Sequence, residues 1–394
     1  MRTVTVVGAS LAGLHAARAL RSQGFEGHLR IVGAEHHLPY DRPPLTKGYL
    51  TGAVTAEHLA LTDAQDEAEL QPEWLLGARA TALDLGERSV VLADGRRLRS
   101  DGVVLATGAA AVPLRGTQFL GVHTLRTLED AASLRAELRE GQARVVVVGA
   151  GFIGAEVASS CASLGHRVTV VEAGAHPLAS QLGEEIGALC AGLHADHGVT
   201  LISGVGVAEL HGKDGAGSSA GQRVSWVELT DGRQLPADIV VVGIGARPAT
   251  AWLLDSGLPL SDGVVCDAGG VTEVPQVVAV GDVARSAGRR EEHWTHAMAQ
   301  PAVAVRNLLA GTTVAGYETP PYFWSDQYGA RIQFAGRRHA GDTVRLVEGS
   351  PSDRSFAAVY EHEGVRTAAV AMNRPRPFAH LRRELGRPAG TVPA

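Results

Sequence analysis

Residues 144–172 read R-V-V-V-V-G-A-G-F-I-G-A-E-V-A-S-S-C-A-S-L-G-H-R-V-T-V-V-E, and this stretch decides the fold. Residues 145–148 are apolar and β-branched without alternation, the pattern of a strand buried on both faces of a parallel sheet. Gly149, Gly151 and Gly154 follow as G-x-G-x-x-G. The first glycine permits the tight turn, the second lets backbone approach a pyrophosphate, and the third lets the helix pack on the strand. Residues 152–164 are predicted to form the helix whose first N–H groups face the phosphates, with Gly165 at its C-terminal cap. A second strand over 167–171 delivers Glu172 to the place where a carboxylate accepts from the ribose hydroxyls of NAD.

Toward the N-terminus the same pattern recurs. A strand over 4–8 leads into Gly8-Ala9-Ser10-Leu11-Ala12-Gly13, then a helix over 11–23, Gly24, a strand over 29–32 and Glu35. Ser10 stands where the second glycine is expected, and a small residue still allows close backbone approach. The likeness extends further. Leu92-Ala93-Asp94-Gly95-Arg96 leads to Asp101 and the strand V-V-L-A-T-G-A; Leu229-Thr230-Asp231-Gly232-Arg233 leads to Asp238 and the strand V-V-V-G-I-G-A. Each is an Asp-Gly hairpin turn followed by an apolar strand ending in glycines. This is a duplicated module, and two dinucleotide folds in one chain imply two dinucleotides, commonly FAD and a nicotinamide. Ala106-Thr107-Gly108 ends the first copy's strand and reads as the crossing into the next module. Residues 212–222 (G-K-D-G-A-G-S-S-A-G-Q) read as a hairpin tip without evident chemistry.

Beyond residue 263, an apolar strand over 277–280 ends in Gly281-Asp282. Asp282 lies at the carboxyl end of a parallel strand, where α/β sheets bind ligands. Its carboxylate fits either an acceptor for a ribityl chain or a helix N-cap. A helix over 291–309 carries Trp294, His296 and Gln300, and short alternating runs over 317–394 predict an antiparallel sheet with a closing helix over 378–385. The expected domains are 1–110 and 240–316 for FAD, 111–239 for NAD, and an α+β domain over 317–394.

Composition sets bounds. The 394 residues allow two or three domains, and a net charge of −6 argues against general nucleic-acid binding. No apolar run reaches the ~18 residues of a membrane span and no signal peptide is evident, so a cytoplasmic location is expected. Cys161, Cys190 and Cys266 are scattered without C-x-x-C. Neither a disulfide framework nor a metal site is expected, and His36-His37 and His194/His197 lack carboxylate or thiolate companions.

Five longer signatures complete the sequence-level picture: Pro39-Tyr40-Asp41-Arg42-Pro43-Pro44-Leu45-Thr46-Lys47, Leu125-Arg126-Thr127-Leu128-Glu129-Asp130, Gly243-Ile244-Gly245-Ala246-Arg247-Pro248, Val280-Gly281-Asp282-Val283 and Tyr322-Phe323-Trp324-Ser325-Asp326-Gln327. With them, the chain resembles the FAD-containing, NADH-dependent ferredoxin reductases of bacterial oxygenase and cytochrome P-450 systems, the putidaredoxin-reductase-like family. The resemblance covers nearly the whole chain. It implies an α/β, glutathione-reductase-like flavoprotein with two dinucleotide-binding domains and a C-terminal α+β domain. It assigns FAD contacts to Gly8, Ser10, Ala12, Gly13, Glu35, Ala80, Thr107, Gly108, Gly281 and Asp282, with Trp294 against the flavin and Trp324 walling its pocket. Arg42, Lys47 and Arg126 neutralise the FAD phosphates or approach the flavin. NADH contacts fall to Gly149, Gly151, Phe152, Ile153, Gly154, Glu172 and Gly245. Lys47 and Glu156 pair where nicotinamide meets flavin, the alternative for Glu156 being a solvated carboxylate favoured by the helix dipole. Residues 173–180 carry only His176 where the family has a basic residue, and Glu172 repels a 2′-phosphate, so NADH is the expected donor.

Relatives that reduce disulfides relay electrons through cysteines beside the flavin, and residues 35–49 contain none. The expected chemistry is therefore hydride transfer from NADH to FAD, then single electrons to a [2Fe–2S] ferredoxin. Other acceptors (rubredoxin, monodehydroascorbate, quinone or oxygen) and an NADH-responsive binding role resembling apoptosis-inducing factor are the rivals. Residues 319–394 hold eleven arginines against seven acids while the whole chain is negative. That asymmetry fits either steering of an acidic partner or a solvated arginine-rich surface.

Overall fold

The computed structural model describes residues 1–114, 119–213 and 221–386. The middle of the hairpin tip expected over 212–222, and Arg387 among the C-terminal arginines, lie outside the described residues. Contacts divide the chain into two compact units. The first comprises Met1–Asp41, Glu57–Ala110 and Ala246–Pro321; the second comprises Arg42–Ala56, Ala111–Gly245 and Tyr322–Ala394.

The first unit is built on a five-stranded parallel sheet in the order Val277–Ala279, Gly102–Leu105, Thr3–Val7, His28–Val32, Glu73–Leu75. Val4, Val6, Val7, Leu29, Ile31, Val32, Val103, Val104 and Leu105 of its central strands are buried because both faces are covered. The Leu11–Ser22 helix buries Leu14, Ala16, Ala17 and Leu20 against Val4, Val6, Leu29 and Ile31. The Trp294–Ala310 helix adds Ala304, Val305 and Leu308 to the same core. It starts three residues later than the sequence predicts, at Trp294, because its N-cap His293 is extended. A three-stranded antiparallel sheet, Ala80–Asp84, Ser89–Leu92 and Arg97–Arg99, completes the module.

The second unit repeats this plan. Its parallel sheet runs Thr200–Ser203, Arg167–Glu172, Arg144–Val148, Ile239–Val242, Val122–Thr124. Its antiparallel sheet is Val207–Gly212, Val224–Leu229 and Gln234–Pro236. The repeated aspartates explain why the copies superimpose in sequence. The Asp101 carboxylate accepts from the N–H groups of Arg2 (2.5 Å) and Thr3 (3.0 Å), and Asp238 accepts from the N–H of Arg144 at 2.8 Å. Each pins the start of a central strand to the start of its neighbour.

The second unit also holds a C-terminal antiparallel sheet in the order Tyr322–Gln327, Ala330–Gly336, Val365–Met372, Ser355–His362, Thr343–Ser350. The Pro375–Arg383 helix packs Phe378 and Leu381 on its alanine-rich face. That helix begins earlier than expected because Pro375 suits its first position. Residues 42–56 group with this unit through the Lys47–Glu156 ion pair, Ser160 Oγ donating to the Thr46 carbonyl at 2.7 Å, and the Arg135 guanidinium over the Tyr49 ring.

Candidate functional site

Two loops of the same geometry open the two modules. Gly8 has φ +128°, and a Cβ there would lie 2.1 Å from the Ala106 carbonyl oxygen. Gly149 has φ +95°, with its Cβ 2.4 Å from the Gly243 carbonyl oxygen. Cβ atoms at Gly13 and Gly154 would meet the carbonyl oxygens of Gly8 and Gly149 at 1.8 and 2.0 Å. These four glycines are required by the protein's own backbone. Gly151 is different: its φ is −70° and a Cβ would meet nothing within 4 Å. Protein packing does not demand glycine there, so the open space fits the close approach of a pyrophosphate at the helix start. Gly245, φ +114°, also faces open space.

Around the first loop, Gly281 takes φ +67°, and a Cβ would press on Ala12 at 2.8 Å. Its N–H donates to Gln300 Oε1 at 2.8 Å. Residues Gly281–Val283 form a short 3-10 turn followed by a strand, Ala284–Ser286, so there is no helix for Asp282 to cap. The N-cap alternative is thereby corrected, and the acid stands at the carboxyl edge of the sheet. Tyr40 Oη donates to Glu35 at 2.5 Å, and Trp294 Nε1 donates to Asp41 at 2.8 Å. Thr107 Oγ1 donates to the Ala249 carbonyl at 3.0 Å and Gly108 has φ +67°, which turns the chain at the strand end. Ala80 begins the first antiparallel sheet. The glycine loop, the Gly281 cradle and a carboxylate beyond the second strand fit an ADP-bearing group such as FAD.

Arg42, Lys47, Arg126 and Trp324 belong to the second unit. Arg42 Nη1 donates to the Arg126 carbonyl at 2.5 Å. Trp324 stacks on Tyr322, with the Arg331 guanidinium 5.8 Å from its ring centroid. Phe152 and Ile153 open the Phe152–Ser163 helix, Phe152 packing on Phe323 at 4.7 Å between ring centroids. Glu172 accepts from the N–H groups of Ala150 (2.7 Å) and Gly174 (2.8 Å). It anchors the glycine loop and retains lone pairs for a ribose.

Glu156 is 4 % exposed, so the solvated alternative does not hold. Its carboxylate accepts from Lys47 Nζ at 2.5 Å and Thr46 Oγ1 at 2.6 Å on one oxygen, and from Ser325 Oγ at 2.7 Å on the other. A buried carboxylate persists in this form only because it is paired and multiply hydrogen-bonded. Sequence reasoning gave no role to Thr46 or Ser325, although both lie inside the quoted signatures. It also missed Glu209, His211 and Glu228, whose ligand atoms lie within 4.8 Å of one another. Antiparallel pairing brings them together, His211 stacks flat on Trp226, its Nε2 lies 2.9 Å from Glu228 Oε2, and Glu209 is exposed.

All three cysteines are buried, and burial pushes each thiol up to about 12. None offers the thiolate that disulfide exchange requires.

Residues 2–301 match the family described as pyridine nucleotide-disulphide oxidoreductase, and residues 322–393 match the one described as Reductase C-terminal. The chain belongs to the pyridine nucleotide-disulphide oxidoreductase family. Among curated members of related sequence, the ferredoxin–NAD(+) reductase component of a biphenyl dioxygenase system from Paraburkholderia xenovorans is 36 % identical, across 98 % of this chain and 93 % of that protein. Putidaredoxin reductase from Pseudomonas putida is 34 % identical, across 95 % of this chain and 89 % of its own length. Among solved structures, the covalent putidaredoxin reductase–putidaredoxin complex matches with a TM-score of 0.90 and 32 % identity, covering 98 % of this chain and 94 % of that one. Within a family named for disulphide chemistry, all three cysteines of this chain are buried with their thiols pushed up to about 12. No described helix is long and apolar enough to cross a membrane.

Proposed function

We propose that this protein is an FAD-dependent NADH:ferredoxin reductase that supplies a [2Fe–2S] ferredoxin of an oxygenase or cytochrome P-450 system. The observation that carries the reading is the pairing of two complete dinucleotide cradles with three cysteines that cannot act as thiolates. Bound FAD supplies hydride acceptance from NADH and release of electrons one at a time. In the first unit, Gly8, Ser10, Ala12 and Gly13 receive the FAD pyrophosphate at the helix start, Glu35 takes its ribose, and Asp282 takes the ribityl chain. In the second unit, Gly149, Gly151 and Gly154 receive the NADH pyrophosphate while Glu172 accepts from the adenosine ribose and disfavours a 2′-phosphate. The Lys47–Glu156 pair of the second unit, in which Glu156 fixes the ammonium, is assigned a part in hydride transfer. A cytoplasmic location belongs to the same reading.

The partner face we propose is narrower than the arginine count implies. Arg345, Arg354, Arg366 and Arg374 are committed to Glu361, Asp196, Glu384 and Glu348 within the unit. Arg376, Arg382 and Arg383 are exposed on the Pro375–Arg383 helix, Arg382 over the Tyr322 ring, and offer positive charge to an acidic ferredoxin. The test is NADH-driven cytochrome c reduction by the flavin-loaded protein, with and without a panel of [2Fe–2S] ferredoxins and with NADPH in parallel. Ferredoxin-dependent rates with NADH support the reading. Rapid flavin bleaching without ferredoxin stimulation would overturn the acceptor and leave the two cradles standing.

A further inference from the structure

We propose that Ser325 is a positioning residue for the Lys47–Glu156 pair, an inference that rests on the hydride-transfer reading of that pair. Ser325 lies in the Tyr322–Gln327 strand of the C-terminal sheet and is fully buried. Its Oγ donates to Glu156 Oε1 at 2.7 Å, and the Asp326 N–H reaches the same oxygen at 3.3 Å. Lys47 and Thr46 occupy Oε2. The carboxylate is therefore gripped from two directions, one oxygen by the C-terminal strand and the other by the 43–47 segment. The terminal torsion of a glutamate is soft, so without the first grip the plane of the carboxylate is free to turn.

The direction of the serine hydrogen bond is set as well. Gln327 Nε2 donates to Ser325 Oγ at 3.0 Å. A hydroxyl has one proton and two acceptor sites, so the accepted bond from Gln327 leaves that proton for Glu156. The strand cannot drift from the helix, because the Tyr328 N–H donates to Ser159 Oγ at 2.7 Å, one turn along from Glu156. The order of action runs Gln327, Ser325, Glu156, Lys47. The C-terminal sheet thus sets where the Lys47 ammonium stands.

The experiment compares Ser325→Ala, Gln327→Leu, Glu156→Gln and the double variant S325A/E156Q as flavin-loaded enzymes. Stopped-flow mixing gives the limiting rate of flavin reduction, and calorimetry with NAD+ gives the dissociation constant. Misplacement of a reacting group by about 1 Å costs up to ~100-fold, so S325A is expected to slow the limiting rate by about ten-fold, within that bound. The NAD+ dissociation constant is expected to change less than about two-fold, since the interaction is outside the pyrophosphate loop. Q327L should slow the reaction in the same direction by less, and S325A/E156Q should be no slower than E156Q. A role confined to stability moves flavin content and melting temperature but not the limiting rate of the loaded fraction, and that result would overturn the proposal. So would slowing by S325A that adds to that of E156Q. If S325A fails to retain flavin, Q327L decides on the same criteria. A wild-type rate in E156Q would overturn the reading of the pair itself and Ser325 with it; a slow E156Q beside a fast S325A overturns Ser325 alone.

Discussion

The two dinucleotide modules differ least where they build structure and most where they meet a ligand. Gly8 and Gly149, Gly13 and Gly154, and Asp101 and Asp238 do the same work at the same places. Even the Asp-Gly turns match: Arg96 and Arg233 each return to the aspartate two residues earlier, Asp94 and Asp231. The divergence begins just before the helix, where Ser10 stands against Gly151, and grows inside it. Ala12 is 8 % exposed beneath the Gly281 turn, whereas its counterpart Ile153 is 44 % exposed. The fifth residue of the helix is His15 in one copy and the buried, paired Glu156 in the other. A covered helix start suits a cofactor that stays; an open one beside a fixed charge pair suits a substrate that binds, reacts and leaves.

The sharpest way to break this comparison is to damage each loop in turn. Gly8→Ala forces a Cβ onto a carbonyl at positive φ, a strain of about 1–3 kcal/mol before the clash is counted. The protein should purify colourless, with flavin absorbance lost. Gly149→Ala meets the same obstacle in the second unit. It should keep flavin absorbance while NADH no longer bleaches it. Equal loss of flavin from both variants would refute the division of labour.

Next in size is the ion pair that only the second module carries. Lys47→Ala leaves Glu156 buried with its charge uncompensated, a situation that costs about 3–5 kcal/mol in a fully buried site and less here, where the lysine is partly exposed. Flavin reduction at saturating NADH should fall about 100-fold, the size expected of a misplaced reacting geometry. Glu156→Gln should fall less, since the neutral amide still accepts on one atom.

Acid sensitivity gives a third test, within the second unit. Burial lowers His194, on the Glu184–Asp196 helix of the second unit, from its ordinary 6.5 to about 4, its Nδ1 lying 2.8 Å from Tyr328 Oη. Between those values the unfolded chain binds a proton that the folded chain refuses. The stabilisation is complete above pH 6.5 and is lost as pH falls toward 4, amounting to roughly 3 kcal/mol for this group. Urea midpoints measured from pH 7 to 4.5 should fall, and the fall should be shallower in His194→Gln.

Smaller effects sharpen specificity. Glu172→Gln should raise the NADPH-to-NADH ratio of kcat/KM by about ten-fold, as expected from removing one like charge beside a 2′-phosphate. The glutamine cannot keep both backbone contacts of the carboxylate, so some loss with NADH accompanies it. The smallest expected effect is none: iodoacetamide at pH 8 should leave turnover unchanged, because thiols pushed up to about 12 and buried are not nucleophiles there. Inactivation in proportion to one alkylated cysteine would reopen the thiol route.

The framework was legible in the sequence because its signals are local. Gly13 and Gly154 act on backbone only five residues back. Asp101 and Asp238 reach strands 94 to 99 residues away, and are legible because each follows a local Asp-Gly turn and precedes an apolar run. Element ends shifted by up to three residues where Pro375 or the extended His293 outweighed periodicity. What stayed hidden was long-range polar chemistry. Ser325 meets Glu156 across 169 residues of sequence, and Thr46 meets it across 110. A serine or threonine has no periodicity to betray such a partner. The Lys47–Glu156 pair was accessible only through family resemblance, for the same reason.

The central claim is that NADH bound by the second module reduces flavin held by the first, and that the electrons then leave singly. Anaerobic stopped-flow mixing of the flavin-loaded protein and an oxidised [2Fe–2S] ferredoxin with NADH, followed at flavin and iron–sulphur wavelengths, tests it most directly. The account predicts flavin bleaching first, ferredoxin bleaching after it at two ferredoxins per NADH, and neither signal in Gly149→Ala. Ferredoxin bleaching without prior flavin reduction, or full activity in Gly149→Ala, would contradict it.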